Sequence, residues 1–341
     1  MTNNFKDWLS MDVENIEPMN LSDSKKFEMK QNILARSHKK KNHMNLRHLT
    51  VAAIIVVSAV TATSFTFPTF AAQIPFMQNI VGYFDNEDTI YENYSVFATE
   101  IGQTQTSNGT SVMIENAVFD GTSLTVSYAI ETDVDLGPSP RMSDPFDVKG
   151  ASGIGSHGTI QKISDTKYVG VEKITPHFEK NIPDELEVSW QPKSFGHSTT
   201  NEVTGDWEFN FTLSKLDNDI QLVNQSITNH GVTVLVESLE KNDLSTVINY
   251  ESVVKEEILK QWPFVSVQFE TIQDDLGNTY IVDSNGGTSH DKGVTFKLSD
   301  TIKSIDPKAK SLTLTPIAYF SLGSGIGMEK KEMDSITIEL K

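Results

Sequence analysis

Gln103-Thr-Gln-Thr-Ser-Asn-Gly109-Thr-Ser-Val112-Met-Ile-Glu115 returns 122 residues later as Gln225-Ser-Ile-Thr-Asn-His-Gly231-Val-Thr-Val234-Leu-Val-Glu237. Carried on without a gap, Ser123 meets Ser245 and Tyr128 meets Tyr250. A period this long indicates duplicated domains, not a short solenoid repeat. Both copies read as strands. Trp207-Glu-Phe-Asn-Phe-Thr-Leu213, Val294-Thr-Phe-Lys-Leu298 and Ile336-Thr-Ile-Glu-Leu340 alternate apolar and polar residues. Period-two alternation sets one face on a core and the other in water. Asn108-Gly109, Asp120-Gly121, Asp275-Leu-Gly-Asn278 and Asn285-Gly-Gly287 punctuate these runs as turns. The expectation is a mainly β chain with two tandem antiparallel β-sandwich (immunoglobulin-like) domains, over 97–216 and 220–341. Val253–Lys260 is expected to add at most a turn or two of helix.

Upstream of the repeat, Leu49 to Phe84 contains no Asp, Glu, Lys, Arg or His. Its first part, to Phe67, is apolar apart from small hydroxyl residues, and Pro68 ends the run. A spanning helix needs roughly 20 such residues, so residues 49–72 are expected to form one transmembrane helix. Residues 73–96 form a juxtamembrane segment. A cleaved signal peptide competes with this reading, because Thr69-Phe70-Ala71 and Phe70-Ala71-Ala72 loosely fit the small-residue pattern before a cleavage site. The 48 residues before the apolar core exceed the usual length of such a peptide, which favours a retained anchor.

Charge orients the chain. Arg36, Lys39, Lys40, Lys41 and Arg47 precede the apolar run, and the first charge after it is Asp85. Basic flanks stay cytoplasmic, so the sandwich domains are expected outside the cell membrane. Residues 1–48 hold 9 of the 28 Lys and Arg and 6 of the 46 Asp and Glu, which leaves a net −21 beyond residue 72. That charge opposes direct contact with nucleic acid. Cysteine is absent, which excludes disulfides, thiolate zinc sites, iron–sulfur clusters and cysteine nucleophiles.

Within residues 1–48 a short basic helix is expected from Asp23 to about His38, with Asp23 as N-cap. Phe27, Ile33 and Leu34 give it a partial apolar face, the candidate partner-binding surface. Arg36, Lys39, Lys40, Lys41 and Arg47 form a basic patch suited to the lipid bilayer surface.

Motifs for chemistry are few. Gly153-Ile-Gly-Ser-His-Gly158 fits a dinucleotide pattern, but a strand-like run follows it where a helix N-terminus is needed. His157, His177 and His197 lack metal-ligand spacing. Asp274, Asp275, Asn278, Asp283 and Asn285 offer oxygens to a cation without matching the EF-hand loop, and read as hairpin turns. No nucleophile–base pair stands out, so no catalytic residue, cofactor or metal is expected and the chain is not read as an enzyme.

One resemblance covers most of the chain. Arg36-Ser-His-Lys-Lys-Lys41, the apolar span, Phe70-Ala-Ala-Gln-Ile-Pro-Phe76 and Ile80-Val-Gly-Tyr-Phe84 occur in that order. The arrangement resembles single-pass bacterial membrane proteins carrying the domain of unknown function numbered 4179, often followed by an immunoglobulin-like module. Several members are regarded as anti-sigma factors, although this chain has no cysteine for the H-x-x-x-C-x-x-C motif of the zinc-containing type. The resemblance implies a membrane-anchored signalling regulator whose tail sequesters an extracytoplasmic-function sigma factor. The alternative is an anchored extracellular binding or structural module holding an unknown envelope ligand.

Overall fold

The computed structural model describes residues 80–84, 94–144, 146–179, 181–197, 201–289, 291, 293–323 and 326–341. In the first β-domain, β1 (Thr99–Ser107), β2 (Thr110–Phe119), β3 (Leu124–Glu131), β7 (Lys167–His177) and β6 (Gly153–Lys162) form a sheet in the order β1-β2-β3-β7-β6. Two three-stranded sheets complete it. One is β11 (Phe209–Ser214), β8 (Glu185–Trp190) and β5 (Asp147–Val148); the other is β10 (Glu202–Thr204), β9 (Ser194–Gly196) and β4 (Arg141–Met142). Their inward side chains meet in one core centred on Trp190, which stacks on Phe146 at 4.5 Å and Phe209 at 5.3 Å and touches the Tyr128 ring at 5.0 Å.

The second β-domain repeats the first sheet. Its strands β12 (Asp219–Asn229), β13 (Val232–Lys241), β14 (Ser245–Val254), β18 (Thr295–Lys303) and β17 (Asp283–Thr288) follow the order β12-β13-β14-β18-β17. The facing sheet runs β16 (Thr279–Ile281), β15 (Phe264–Asp274), β19 (Ser311–Gly323), β20 (Ile326–Glu332), with β21 (Ile336–Glu339) also on β19. Two short helices, α1 (Tyr94–Phe97) and α2 (Glu256–Gln261), and a 3-10 turn over Val81–Tyr83 are the helical pieces among the described residues.

The repeat extends to irregularities. Register shifts fall between Glu100 and Gln103 and between Leu222 and Gln225, and again between Ile114 and Asn116 and between Val236 and Ser238. Each pair is 122 residues apart, so the bulges recur with the sequence. Tyr128 and Tyr250 both stand on the third strand, opposite Ile114 and Val236. The first hairpin turns are left-handed at two consecutive residues, Asn108-Gly109 (φ 49° and 78°) and His230-Gly231 (φ 54° and 78°). That geometry suits tight hairpins and explains the repeated glycine.

One part of the expected fold class is corrected. Among the described residues no helix is long and apolar enough to cross a membrane, because α1 has four residues and α2 six. A helical span needs roughly 20. The segment 49–72 lies outside the described residues, as does the expected helix from Asp23 to His38. The fold of the described residues is therefore mainly β in several sheets, with no transmembrane helix among them.

Candidate functional site

The segment before β1 is packed, not extended. Val81 and Tyr94 are buried with Val118 and Val171 of the first β-domain and Leu244 of the second, while Ile80 packs on Ala129 and Val169. Residues 80–84 and α1 thus form a strap across the outer face of the first sheet. Tyr94 Oη lies 3.0 Å from the carbonyl of Asn116 and 3.2 Å from that of Thr125, to which it donates. Glu115 takes up the Ile80 N–H at 3.3 Å and the Ser127 hydroxyl at 3.0 Å. Burial raises the Glu115 carboxyl above its ordinary range, against the lowering effect of those donors. The strap explains why β3 is buried on both faces from Leu124 to Ile130. On the matching strands of the second domain, polar Glu251 and Lys297 occupy the places of Ala129 and Val169, by the register of β14 with β18.

Beside the strap the two β-domains meet through equivalent hairpin turns. The Asp120 Oδ1 accepts the backbone N–H groups of Thr122 and Ser123 at 2.8 and 2.7 Å. Asn242 Oδ1 does the same for Leu244 and Ser245, at 2.8 and 2.7 Å. Both are side-chain turns of the Asx kind. Asn242 Nδ2 then donates to the Asp120 carbonyl at 3.3 Å and to Asn218 Oδ1 at 2.9 Å, and Ser245 Oγ to Asp120 Oδ2 at 3.3 Å.

Further along, Ser123 Oγ donates to Asn285 Oδ1 at 3.0 Å, and Asn285 Nδ2 to Thr301 Oγ1 at 2.9 Å. Lys173, its side chain 1% exposed, reaches across to Asp283 Oδ2 at 2.7 Å. His157 Nε2 approaches the other oxygen of Asp283 at 3.4 Å. Burial raises the Asp120 carboxyl, opposed by its backbone donors and by the Lys173 charge. Asp300 is pushed up to about 6, mainly by burial, while hydrogen bonds from Ser284 and Tyr250 oppose the rise. The buried Lys173 ammonium, set amid carboxylates and amides, holds the two surfaces together.

The sequence-selected residues fall elsewhere. Phe27, Ile33, Leu34, Arg36, Lys39, Lys40, Lys41 and Arg47 lie outside the described residues. Gly153–Gly158 forms the start of β6, so the glycine pattern is strand and not a phosphate loop. Asp274 is held by the Asn278 backbone and the Tyr280 hydroxyl, as a hairpin turn requires. No cluster able to hold a metal is found among the described residues. Asp120, Ser123, Lys173, Asp283 and Asn285 were legible only as turn or strand residues, because their partners lie 110 to 162 residues away.

Two family profiles match the chain. The profile described as Domain of unknown function (DUF4179) matches residues 40–132, ending just after β3. The profile described as Family of unknown function (DUF5643) matches residues 218–340, which spans the second β-domain. The chain therefore carries a DUF4179 domain followed by a DUF5643 domain. Among solved structures, the conserved domain protein from Bacillus anthracis is similar, with 28% identity, a TM-score of 0.69, and coverage of 76% of this chain and 97% of its own. A collagen adhesin (CNA) from S. aureus aligns over 71% of this chain and 95% of its own at 11% identity. Its TM-score of 0.14 leaves no common fold to argue from. No curated protein matches the sequence.

Proposed function

We propose that this chain is a non-enzymatic signalling regulator of the cell envelope. The paired β-domains form its receiving part, and residues 1–48 its effector part. The reading rests on the strap: the residues leading back to the N-terminus are buried against both β-domains at once, through Val81, Tyr94 and Leu244. A ligand that altered the meeting of the domains would loosen the strap first. The partner of residues 1–48 is an extracytoplasmic-function sigma factor, engaged through Phe27, Ile33 and Leu34. Arg36, Lys39, Lys40, Lys41 and Arg47 hold that segment close to anionic lipid. The location that goes with this reading is the cell membrane, N-terminus cytoplasmic and β-domains extracellular, which the +3 and net −21 charge division supports.

A second reading, an envelope binding or structural module, is favoured by how densely the joint is bonded, which suits a static support. One experiment separates them. Full-length chain should retain a sigma factor on affinity purification, and Phe27→Asp with Leu34→Asp should release it and raise transcription of its targets. Unaltered transcription after deletion of residues 1–48 would leave the static module as the better account.

A further inference from the structure

At the pole of the second β-domain opposite the joint, the β19–β20 hairpin exposes an apolar strip. Phe264 and Met328 both pair with Ser321, so they flank it on one face of the sheet, and Ile326 is two residues from Met328 on that face. Their exposures are 62%, 69% and 60%. Large side chains grouped this way on a soluble surface mark a contact site more often than isolated ones do.

The strip runs to an open edge. β20 ends the sheet order, and no strand pairs with its far side among the described residues. The Met333 N–H bonds the Pro316 carbonyl at 3.0 Å, which fixes the alternation of the ladder. Residues 331 and 329 then exchange bonds with β19, while Met328, Lys330 and Glu332 turn their N–H and C=O groups outward. The Glu332 carbonyl is already occupied, since His230 Nε2 lies 3.2 Å from it. Met328 and Lys330 are left to bond another strand. Edges of this kind are usually blunted by charge, proline or a covering element. Here the charges are settled inside the chain instead, Lys330 on Glu270 and Lys331 on Glu329.

We propose that this edge is a self-association site, in which β20 of a second copy adds antiparallel about a two-fold axis through Met328. That register pairs Met328 with its own copy and Ile326 with the stem of Lys330. It sets the two strips, Phe264–Met328 and its mate, end to end across the axis. Shifting the axis to Glu329 would oppose two carboxylates, and shifting it to Lys330 would oppose two ammonium groups and require Glu332 to bond. The isologous register is thus selected by charge as well as by apolar contact. A net charge of −18 opposes association elsewhere on the surface, but at this edge each lysine is neutralised by its own chain.

The test uses the full chain expressed in cells, which has no cysteine of its own. A hydrogen-bonded antiparallel pair has Cα atoms about 5.5 Å apart, inside the range a disulfide spans. Met328→Cys should therefore give a covalent dimer under mild oxidation, whereas Leu276→Cys, exposed at the opposite end of β15, should not. Met328→Pro removes only the outward N–H, and in cross-linking with an amine-reactive reagent it should abolish the wild-type dimer. Where that variant fails to fold, Ile326→Lys serves the same purpose by putting a charge on the strip. Met328→Cys chains that stay single, or equal yields from Leu276→Cys, would overturn the proposal. So would binding of phosphatidylcholine vesicles that depends on Met328 while the protein remains a single chain, since the strip would then be lipid-facing.

Discussion

Tyr128 and Tyr250 occupy matching positions in the two sheets, yet their hydroxyl groups differ in satisfaction. Tyr250 Oη donates to Asp300 Oδ2 at 3.1 Å, whereas Tyr128 Oη has no hydrogen-bond partner among the described residues. A buried hydroxyl without a partner costs about 1–3 kcal/mol, and a satisfied one contributes roughly 1 kcal/mol. Tyr128→Phe should therefore leave the melting temperature unchanged or raise it. Tyr250→Phe should lower stability by ~1–3 kcal/mol in urea titration, because Asp300 loses a donor while still buried. Gly170 belongs to the same neighbourhood: a Cβ there would lie 2.3 Å from the Tyr128 ring. Gly170→Ala should cost ~1–3 kcal/mol by the same measurement, through overpacking. Leu298 occupies the matching place opposite Tyr250, so the requirement is local to the first domain.

Among the elements, the strap is the one whose behaviour differs most from its sequence. Ile80-Val-Gly-Tyr-Phe84 was readable as a juxtamembrane motif but not as part of the β-domain, because nothing local says that Val81 will be covered by Leu244. The strands are the opposite case. Their alternation, the Asn108-Gly109 turn and the recurrence of Glu115 as Glu237 made the strands and their repetition legible in the sequence, but not the order in which they pair. The apolar run 49–72 lies outside the described residues, and the described residues hold no helix long and apolar enough to cross a membrane. Tyr94→Phe should remove one hydrogen bond, shared between two carbonyls, at ~1 kcal/mol and speed amide exchange at Val81 to Phe84, with β13 and β14 unchanged. A uniform rise in exchange across both domains would show that Tyr94 supports the whole fold and not the strap.

Across the whole molecule, between about pH 5 and 7.5 the carboxyls that matter are those whose folded values are raised, Asp300, Asp120, Glu115 and Glu172, each chiefly by burial. Carboxyls held low by their donors, such as Asp135 and Asp275, lose their contribution only at lower pH. A raised carboxyl binds its proton more tightly when folded than when unfolded. Folding is therefore least favoured above about pH 6 and gains stability as pH falls towards 4, below which the unfolded chain is protonated too. The gain from Asp300 amounts to ~2–3 kcal/mol at most. Chemical denaturation at pH 7.5 and at pH 5 should show the higher midpoint at pH 5. Lys173→Ala should leave Asp283 beside Asp300 without its buried ammonium partner, costing ~3–5 kcal/mol. It should also split one unfolding transition into two as the β-domains part. Lys173→Met, which removes the charge but keeps the volume, should cost less. None of this was legible from the chain, since Lys173 reads as one more polar residue in a strand.

The turns that meet in the joint also carry a lesson about descent. Asp120 and Asn242 are the same position in two copies of one hairpin, with the same backbone bonds, and they differ by a single atom at the end of the side chain. Were position 242 also a carboxylate, oxygen would confront oxygen at the Asp120 carbonyl and at Asn218, and the halves would repel. An amide nitrogen there makes the two surfaces complementary. Two identical copies of an ancestral module would thus have met oxygen to oxygen at this turn, and one exchange of oxygen for nitrogen makes that contact complementary.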